Sequence, residues 1–167
     1  MTKKEVLFFN KVNVFIDASP RGYGFSYFAK KDFKPGQEVM RGWGKIIGHQ
    51  TPHISVQIGT HKHYLPSVWT GRYWNHSCNP NACVKTRPDG FPSLRALKNI
   101  RKGDEINYHY SMTEYQWIKD ADENHVPCLC GEKNCKKRIL AFSQLSKNGQ
   151  MRLKRERICS KYLLMVE

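Results

Sequence analysis

The sequence lacks any apolar run approaching the roughly 20 residues that a membrane-spanning helix needs. Its opening stretch, MTKKEVLFFNKV, has no long hydrophobic segment and does not read as a secretory signal. Acidic residues are scarce: 14 Asp and Glu stand against 28 Lys and Arg, for a formal net charge of +14. No internal repeat or low-complexity tract interrupts the 167 residues, which suit one compact domain with a small appendage. With no export signal, the expected location is intracellular. Six cysteines in a reducing compartment are expected as metal ligands and buried thiols rather than as a disulfide framework.

Apolar residues make up 40% of the chain, enough for a real core. The charge predicts attraction to nucleic acid, acidic protein surfaces or anionic membranes, set against the plainer use of charge for solubility. Short strand-like runs recur with turn signals between them. KVNVFIDAS alternates Val12, Val14 and Ile16 against Lys11, Asn13 and Asp17. FSYFA, a run after Pro35-Gly36, HISVQIG, NACVKT, SLRAL and DEINYHY continue the series, so the fold is expected to be β-rich, of α+β class. MTEYQWIKDA reads as a short helix. From Lys136 onward apolar residues fall at helical intervals, with Ile158, Tyr162 and Met165 at i, i+4 and i+7 and Gly149 as a break between two helices.

Three stretches carry candidate chemistry. RGYG at 21–24 follows a strand, and its paired glycines permit a close backbone approach to a ligand; it lacks the third glycine of the dinucleotide fingerprint. GRYWNHSCNPNACV crowds Asn75, His76, Ser77, Asn79 and Asn81 beside Tyr73, Trp74 and Cys78, a polar set that also suits a structured turn. In IRKGDEINYHY a KGDE turn launches a strand on which Tyr108 and Tyr110 share a face, either as core or as the wall of an aromatic channel. Further on, CLCGEKNC offers Cys128, Cys130 and Cys135, three of the four ligands that a structural zinc requires. Spacing leaves the fourth open between Cys78 and Cys83.

The glycine pair, N-H-S-C-x-P-N, G-D-E-I-x-Y-x-Y and C-x-C-x4-C, in that order, resemble the SET-domain protein lysine methyltransferases that carry a post-SET zinc motif, over roughly residues 12 to 140. The resemblance implies a fold of small β-sheets with a pseudoknot. It divides the chain into a SET domain at 10–115, a linker and post-SET zinc motif at 116–140 and a basic helical extension at 141–167. It makes Cys78 the fourth ligand of one structural zinc, with Cys128, Cys130 and Cys135. It implies S-adenosylmethionine as methyl donor and S-adenosylhomocysteine as product. Arg21, Gly22, Tyr23, Gly24, Arg72, Tyr73, Asn75, His76, Tyr110 and Leu129 then fall at cofactor-binding positions.

By the same resemblance Tyr110 is the catalytic tyrosine, and Tyr108 sits where the family sets methylation degree; tyrosine there implies mono- or dimethylation. Tyr73 replaces the family's usual Phe and His109 its frequent Asp. No cysteine-rich pre-SET segment is seen, and the stretch from Ile58 to Gly71 is short. The implied substrate is a lysine on a histone or another basic, nucleic-acid-associated protein, and contact of the basic surface with nucleic acid would help to hold it. Asp120, Asp122 and Glu123 are candidates for docking a basic peptide, or else a solvated loop. The expected protein is a monomer without membrane contact. It is placed in the nucleus of a eukaryote, or otherwise in the cytoplasm or a host cell to which it is delivered. The alternative is a catalytically inactive SET-fold adaptor for chromatin or nucleic acid.

Overall fold

The computed structural model describes residues 1–22, 24–51, 54–117 and 126–166. The chain opens with helix α1 (Lys3–Asn13) and then forms β1 (Val14–Ala18), β2 (Phe25–Ala29), β3 (Glu38–Arg41), β4 (Gly44–Ile47), β5 (Val56–Gly59) and β6 (Lys62–Pro66). Strands β7 (Asn75–His76), β8 (Ala82–Thr86), β9 (Pro92–Ala96) and β10 (Asn107–Tyr108) follow. The C-terminal part holds helix α2 (Lys147–Arg155) between single turns of 3-10 helix at Phe142–Gln144 and Lys161–Leu164. Among the described residues, no helix is long and apolar enough to cross a membrane.

Small sheets dominate, as the SET fold requires. Strands β1 and β2 form an antiparallel hairpin; β3, β9 and β8 make one antiparallel sheet, and β4, β6 and β5 another. Strands β7 and β10 pair in parallel, Asn75 opposite Asn107 and His76 opposite Tyr108, so two segments distant in sequence lie side by side. Asn81 fixes this crossing. Its backbone N–H donates to Asn107 Oδ1 at 3.2 Å, its Oδ1 accepts from Asn107 N–H at 3.0 Å, and its Nδ2 donates to the Glu105 carbonyl at 2.8 Å.

The main core joins Val14, Tyr27, Met40, Leu94, Ile106 and Leu163, so the C-terminal segment packs into the same interior as the strands. A second cluster stacks Trp43 on Phe91 at 4.9 Å beside Val56 and Tyr64. Backbone bonds stitch the C-terminal segment to residues 112–115. Ser160 N–H donates to the Met112 carbonyl, Phe142 N–H to that of Glu114 and Ser143 N–H to that of Tyr115, at 2.8–2.9 Å.

The structure departs from the sequence expectations in five places. Helix α1 runs through Lys11–Asn13, where a strand was expected, and leaves Val12 exposed. A reciprocal cap starts it: Thr2 Oγ1 accepts from Glu5 N–H at 3.3 Å and Glu5 Oε2 from Thr2 N–H at 2.7 Å. The strand carrying Tyr108 ends there, and Tyr110 opens a 3-10 turn (Tyr110–Met112). The helix expected over MTEYQWIKDA does not form at 113–117, because the Glu114 and Tyr115 carbonyls accept from the C-terminal segment and Tyr115 N–H donates to Gln57 Oε1; residues 118–121 lie outside the described residues. Gly149 breaks nothing. It sits in the first turn of α2, where its N–H donates to the capping Ser146 Oγ at 3.2 Å. Ile158 and Tyr162 are buried but Met165 is exposed, since a turn rather than a continuous helix carries them.

Asn10, fully buried on α1, ties this helix to the strands. Its Nδ2 donates to the carbonyls of Arg41 and Trp69 at 2.8 and 2.7 Å, and its Oδ1 accepts from Arg41 N–H at 2.8 Å. Asn10→Ala strands all three backbone groups and is expected to cost about 3 kcal/mol of unfolding free energy in urea titration. A loss below about 1 kcal/mol would mean that water replaces the amide.

Candidate active site

Between β1 and β2 the chain turns over Ser19–Gly24. Ser19 N–H donates to the Gly24 carbonyl at 2.7 Å and Gly22 N–H to that of Ser19 at 3.2 Å. Gly22 and Gly24 have φ of +81° and +87°, a conformation that side chains resist, and a Cβ on either would meet nothing within 4 Å. The backbone here therefore faces open space, as a cradle for a ligand must. Tyr23 lies outside the described residues.

Arg21 turns away from that space toward the cysteine-rich loop. Its guanidinium donates to the Cys130 carbonyl and lies 3.1 Å from Glu132 Oε1 and 3.3 Å from Glu105 Oε2. Glu132 Oε2 in turn accepts from Asn79 Nδ2 at 3.2 Å. Arg21 thus fastens the glycine turn, the N-H-S-C loop and the cysteine loop together, a role that the sequence pattern did not disclose.

Asn75 closes the other side of the turn, its Nδ2 donating to the Phe25 carbonyl at 3.0 Å. His76 is buried, and its Nδ1 accepts from Tyr110 N–H at 3.2 Å, which puts the imidazole proton on Nε2, 3.5 Å from Cys78 Sγ. Burial, aided by His109 nearby, lowers His76 to about 3; burial lowers His109 to about 4. Both rings are neutral at physiological pH. Arg72 is exposed at the cavity rim. The Tyr73 ring packs on Phe25 and Tyr27 at 5.6 and 5.9 Å.

A cavity of about 380 Å³ opens beside these segments, lined in part by Asn75, His76, Tyr108, Tyr110, Trp117 and Leu129. Its wall is aromatic. Tyr108 and Tyr110 lie 5.2 Å apart, Tyr110 and Trp117 6.3 Å, and Trp74 and Tyr108 6.0 Å, by ring centroids. Tyr110 Oη donates to the Trp74 carbonyl at 2.9 Å, and Tyr108 Oη lies 3.2 Å from Thr113 Oγ1. Leu129 is exposed on the wall beside Cys128. Sequence reasoning missed Gln50, Glu114 and Trp117, because nothing in their spacing marks them; the fold alone brings them to this wall.

The sulfurs of Cys78, Cys128, Cys130 and Cys135 all lie within 4.8 Å of one another, with Cys78 Sγ and Cys128 Sγ 3.8 Å apart. A tetrahedron with metal–sulfur bonds of about 2.3 Å has sulfurs about 3.8 Å apart, so the cluster suits a zinc ion. Cys83 is buried in β8, outside the cluster.

Residues 45–111, from β4 to the Tyr110 turn, match the family described as SET domain. This chain carries a SET domain. The chain is also 44% identical over 69 residues to a histone-lysine N-methyltransferase, H3 lysine-36 specific, of Mycosarcoma maydis, covering 39% of the chain and 6% of that protein. An Emericella nidulans protein of the same description is 30% identical over 140 residues, covering 72% of the chain and 13% of the relative. Human histone-lysine N-methyltransferase 2D is 28% identical over 146 residues, covering 76% of the chain and 2% of the relative. The chain therefore spans a small fraction of the length of these curated relatives.

Proposed function

We propose that this SET domain is a protein-lysine N-methyltransferase that uses S-adenosylmethionine and releases S-adenosylhomocysteine. The observation that carries the reading is the aromatic cavity on which Tyr108, Tyr110 and the Asn75–His76 segment converge beside the open glycine turn. When bound, S-adenosylmethionine supplies the methyl group. Gly22 and Gly24 would present backbone to it, and Arg21 would hold that turn in place; Tyr23 belongs to the same motif by sequence. Asn75 and the backbone of His76 would hold the cofactor, Arg72 and Tyr73 would support that segment, and Leu129 would take its adenine part.

Tyr110 is the catalytic residue of this reading. Its hydroxyl proton goes to the Trp74 carbonyl, which fixes the oxygen as an acceptor toward the hydrogens of the incoming amine or methyl. Such a fixed acceptor aligns the reactants without reorganising during the reaction. The cysteine cluster takes one structural zinc, with Cys78, Cys128, Cys130 and Cys135 as ligands.

The substrate is a lysine on a histone or another nucleic-acid-associated protein. Relatives named for H3 lysine-36 and for H3 lysine-4 support the class without selecting a lysine. The charge of +14 favours a substrate presented on nucleic acid over a bare basic tail, and Arg152 and Arg155 on α2 are exposed for such contact. In a eukaryotic cell this places the protein in the nucleus. The acidic cluster Asp120, Asp122 and Glu123 lies outside the described residues.

Methyl transfer from radiolabelled S-adenosylmethionine to core histones, nucleosomes and whole-cell lysate tests the reading. Label on a protein band supports it; cofactor binding with no label on any acceptor turns the reading toward an inactive adaptor. Tyr108 is buried with its hydroxyl on Thr113, and it limits the space beside the acceptor nitrogen. Tyr108→Phe is expected to move the product from mono- and dimethyl-lysine toward trimethyl-lysine by mass spectrometry. Trimethyl-lysine as the main product of the wild type would refute this role.

A further inference from the structure

Glu114 is the feature of the cavity that the proposed reaction leaves unused. The residue is 4% exposed and lines the cavity on which Tyr108, Tyr110 and Trp117 converge. It is held from three sides. Its Oε1 accepts from Gln57 N–H at 2.9 Å, its Oε2 accepts from Gln50 Nε2 at 2.9 Å, and its carbonyl accepts from Phe142 N–H at 2.8 Å. A carboxylate has about four lone-pair sites, and the bonds from Gln57, Gln50 and the Thr113 side chain leave it acceptor capacity.

Among the described residues, no arginine, lysine or histidine forms an ion pair with it. A buried carboxylate without a cation is costly to maintain. An aromatic wall beside it is attractive to a cation through the ring faces. Together they form a site that is complete only when a cationic ligand enters.

We propose that Glu114 binds the ammonium group of the incoming lysine and takes its proton, delivering the neutral amine to the methyl donor. One N–H bond of the ammonium breaks and its electron pair stays on nitrogen. The proton forms an O–H bond with a Glu114 carboxylate oxygen, so an ammonium and a carboxylate become an amine and a carboxylic acid. The inference rests on the methyltransferase reading for the acceptor, and on the carboxylate's own surroundings for the proton.

Lysine needs such help, because with a pKa near ~10.4 it is almost wholly protonated at neutral pH. Burial raises Glu114 to about 7, only partly offset by the bonds from Gln57, Gln50 and Thr113. The titratable groups facing it are the phenols of Tyr64 on β6, Tyr108 on β10 and Tyr162 in the last 3-10 turn, all held above their ordinary range by burial. None of them changes charge near neutrality, so an ionisation there belongs to the carboxyl. A group that ionises near the working pH is well matched to proton transfer.

The test is the pH profile of kcat/KM for methyl transfer to core histones by the wild type and Glu114→Gln. The wild type is expected to lose activity as pH falls through about 7, where Glu114 becomes protonated. Glu114→Gln is expected to be about 100-fold slower at pH 7, with the gap closing about tenfold per pH unit as free lysine ionises unaided. A deficit that does not change with pH, or no deficit, overturns the proposal; a purely structural role gives one of these.

A second arm needs no variant and no turnover. The Glu114 carboxyl is followed by carbon NMR in the wild type while n-butylammonium is added. A fall in its apparent pKa supports the cation site, and an unmoved pKa overturns it. Should the wild type methylate nothing while n-butylammonium still shifts that resonance, the methyltransferase reading fails and the ammonium site stands.

Discussion

Tyr110→Phe is expected to lower methyl transfer about 100-fold while leaving S-adenosylmethionine affinity within about threefold, as read by turnover and by calorimetry. The separation follows from what the hydroxyl touches. It donates to the Trp74 carbonyl at 2.9 Å, and its ring is wedged between Tyr108, Trp117 and His76. Phenylalanine keeps the ring contacts and Tyr110 N–H still donates to His76 Nδ1, so the pocket retains its shape. Only the oxygen to which the proposed mechanism assigns the reacting groups disappears. The Trp74 carbonyl loses a donor too, a cost to stability of about 1 kcal/mol that thermal unfolding will show separately. Equal rates in mutant and wild type would remove Tyr110 from the chemistry and leave it as cavity wall. A parallel loss of cofactor binding would make it a packing residue of the cofactor loop.

Much of this site is legible in the sequence because its residues are constrained by chemistry that few alternatives satisfy. Two glycines at φ near +80 to +90° are needed where the turn is left-handed, and four sulfurs must come from cysteine. The run from Asn75 to Asn81 is legible for a related reason: Asn81 and Asn75 spend their amides on backbone groups of other segments.

What escaped was set by partners distant in sequence. Arg21 reads as a cofactor residue from its place beside Gly22, and nothing local announces its further ties to Glu105, Cys130 and Glu132. Glu114 is a lone acid in a polar stretch, and nothing local announces that Gln50 and Gln57 will bury it. Helix α1 was hidden by the alternation of Val12, Val14 and Ile16, which a strand and a helix end satisfy equally. The T-x-x-E cap at Thr2–Glu5 was the signal that decided it.

The second large effect concerns the cysteine cluster. Purified protein is expected to hold one zinc per chain, and Cys78→Ser to lose it, while Cys83→Ser, buried in β8 away from the cluster, keeps it. Losing the metal frees a loop whose Cys130 carbonyl and Glu132 carboxylate hold Arg21, and whose Glu132 also holds Asn79. Arg21 belongs to the turn that carries the glycine cradle. If the binding-competent arrangement falls to about a tenth of the population, apparent cofactor affinity falls about tenfold. Glu132→Gln separates the metal from the clasp: it keeps all four sulfurs but replaces the carboxylate that bridges Arg21 and Asn79. It is expected to retain zinc and to weaken cofactor binding by less than Cys78→Ser does. Calorimetry on the zinc-loaded protein, the chelated protein and these three variants decides the matter. Cofactor bound as tightly after chelation as before would show that the clasp holds without the metal, and that the cysteine cluster serves stability alone.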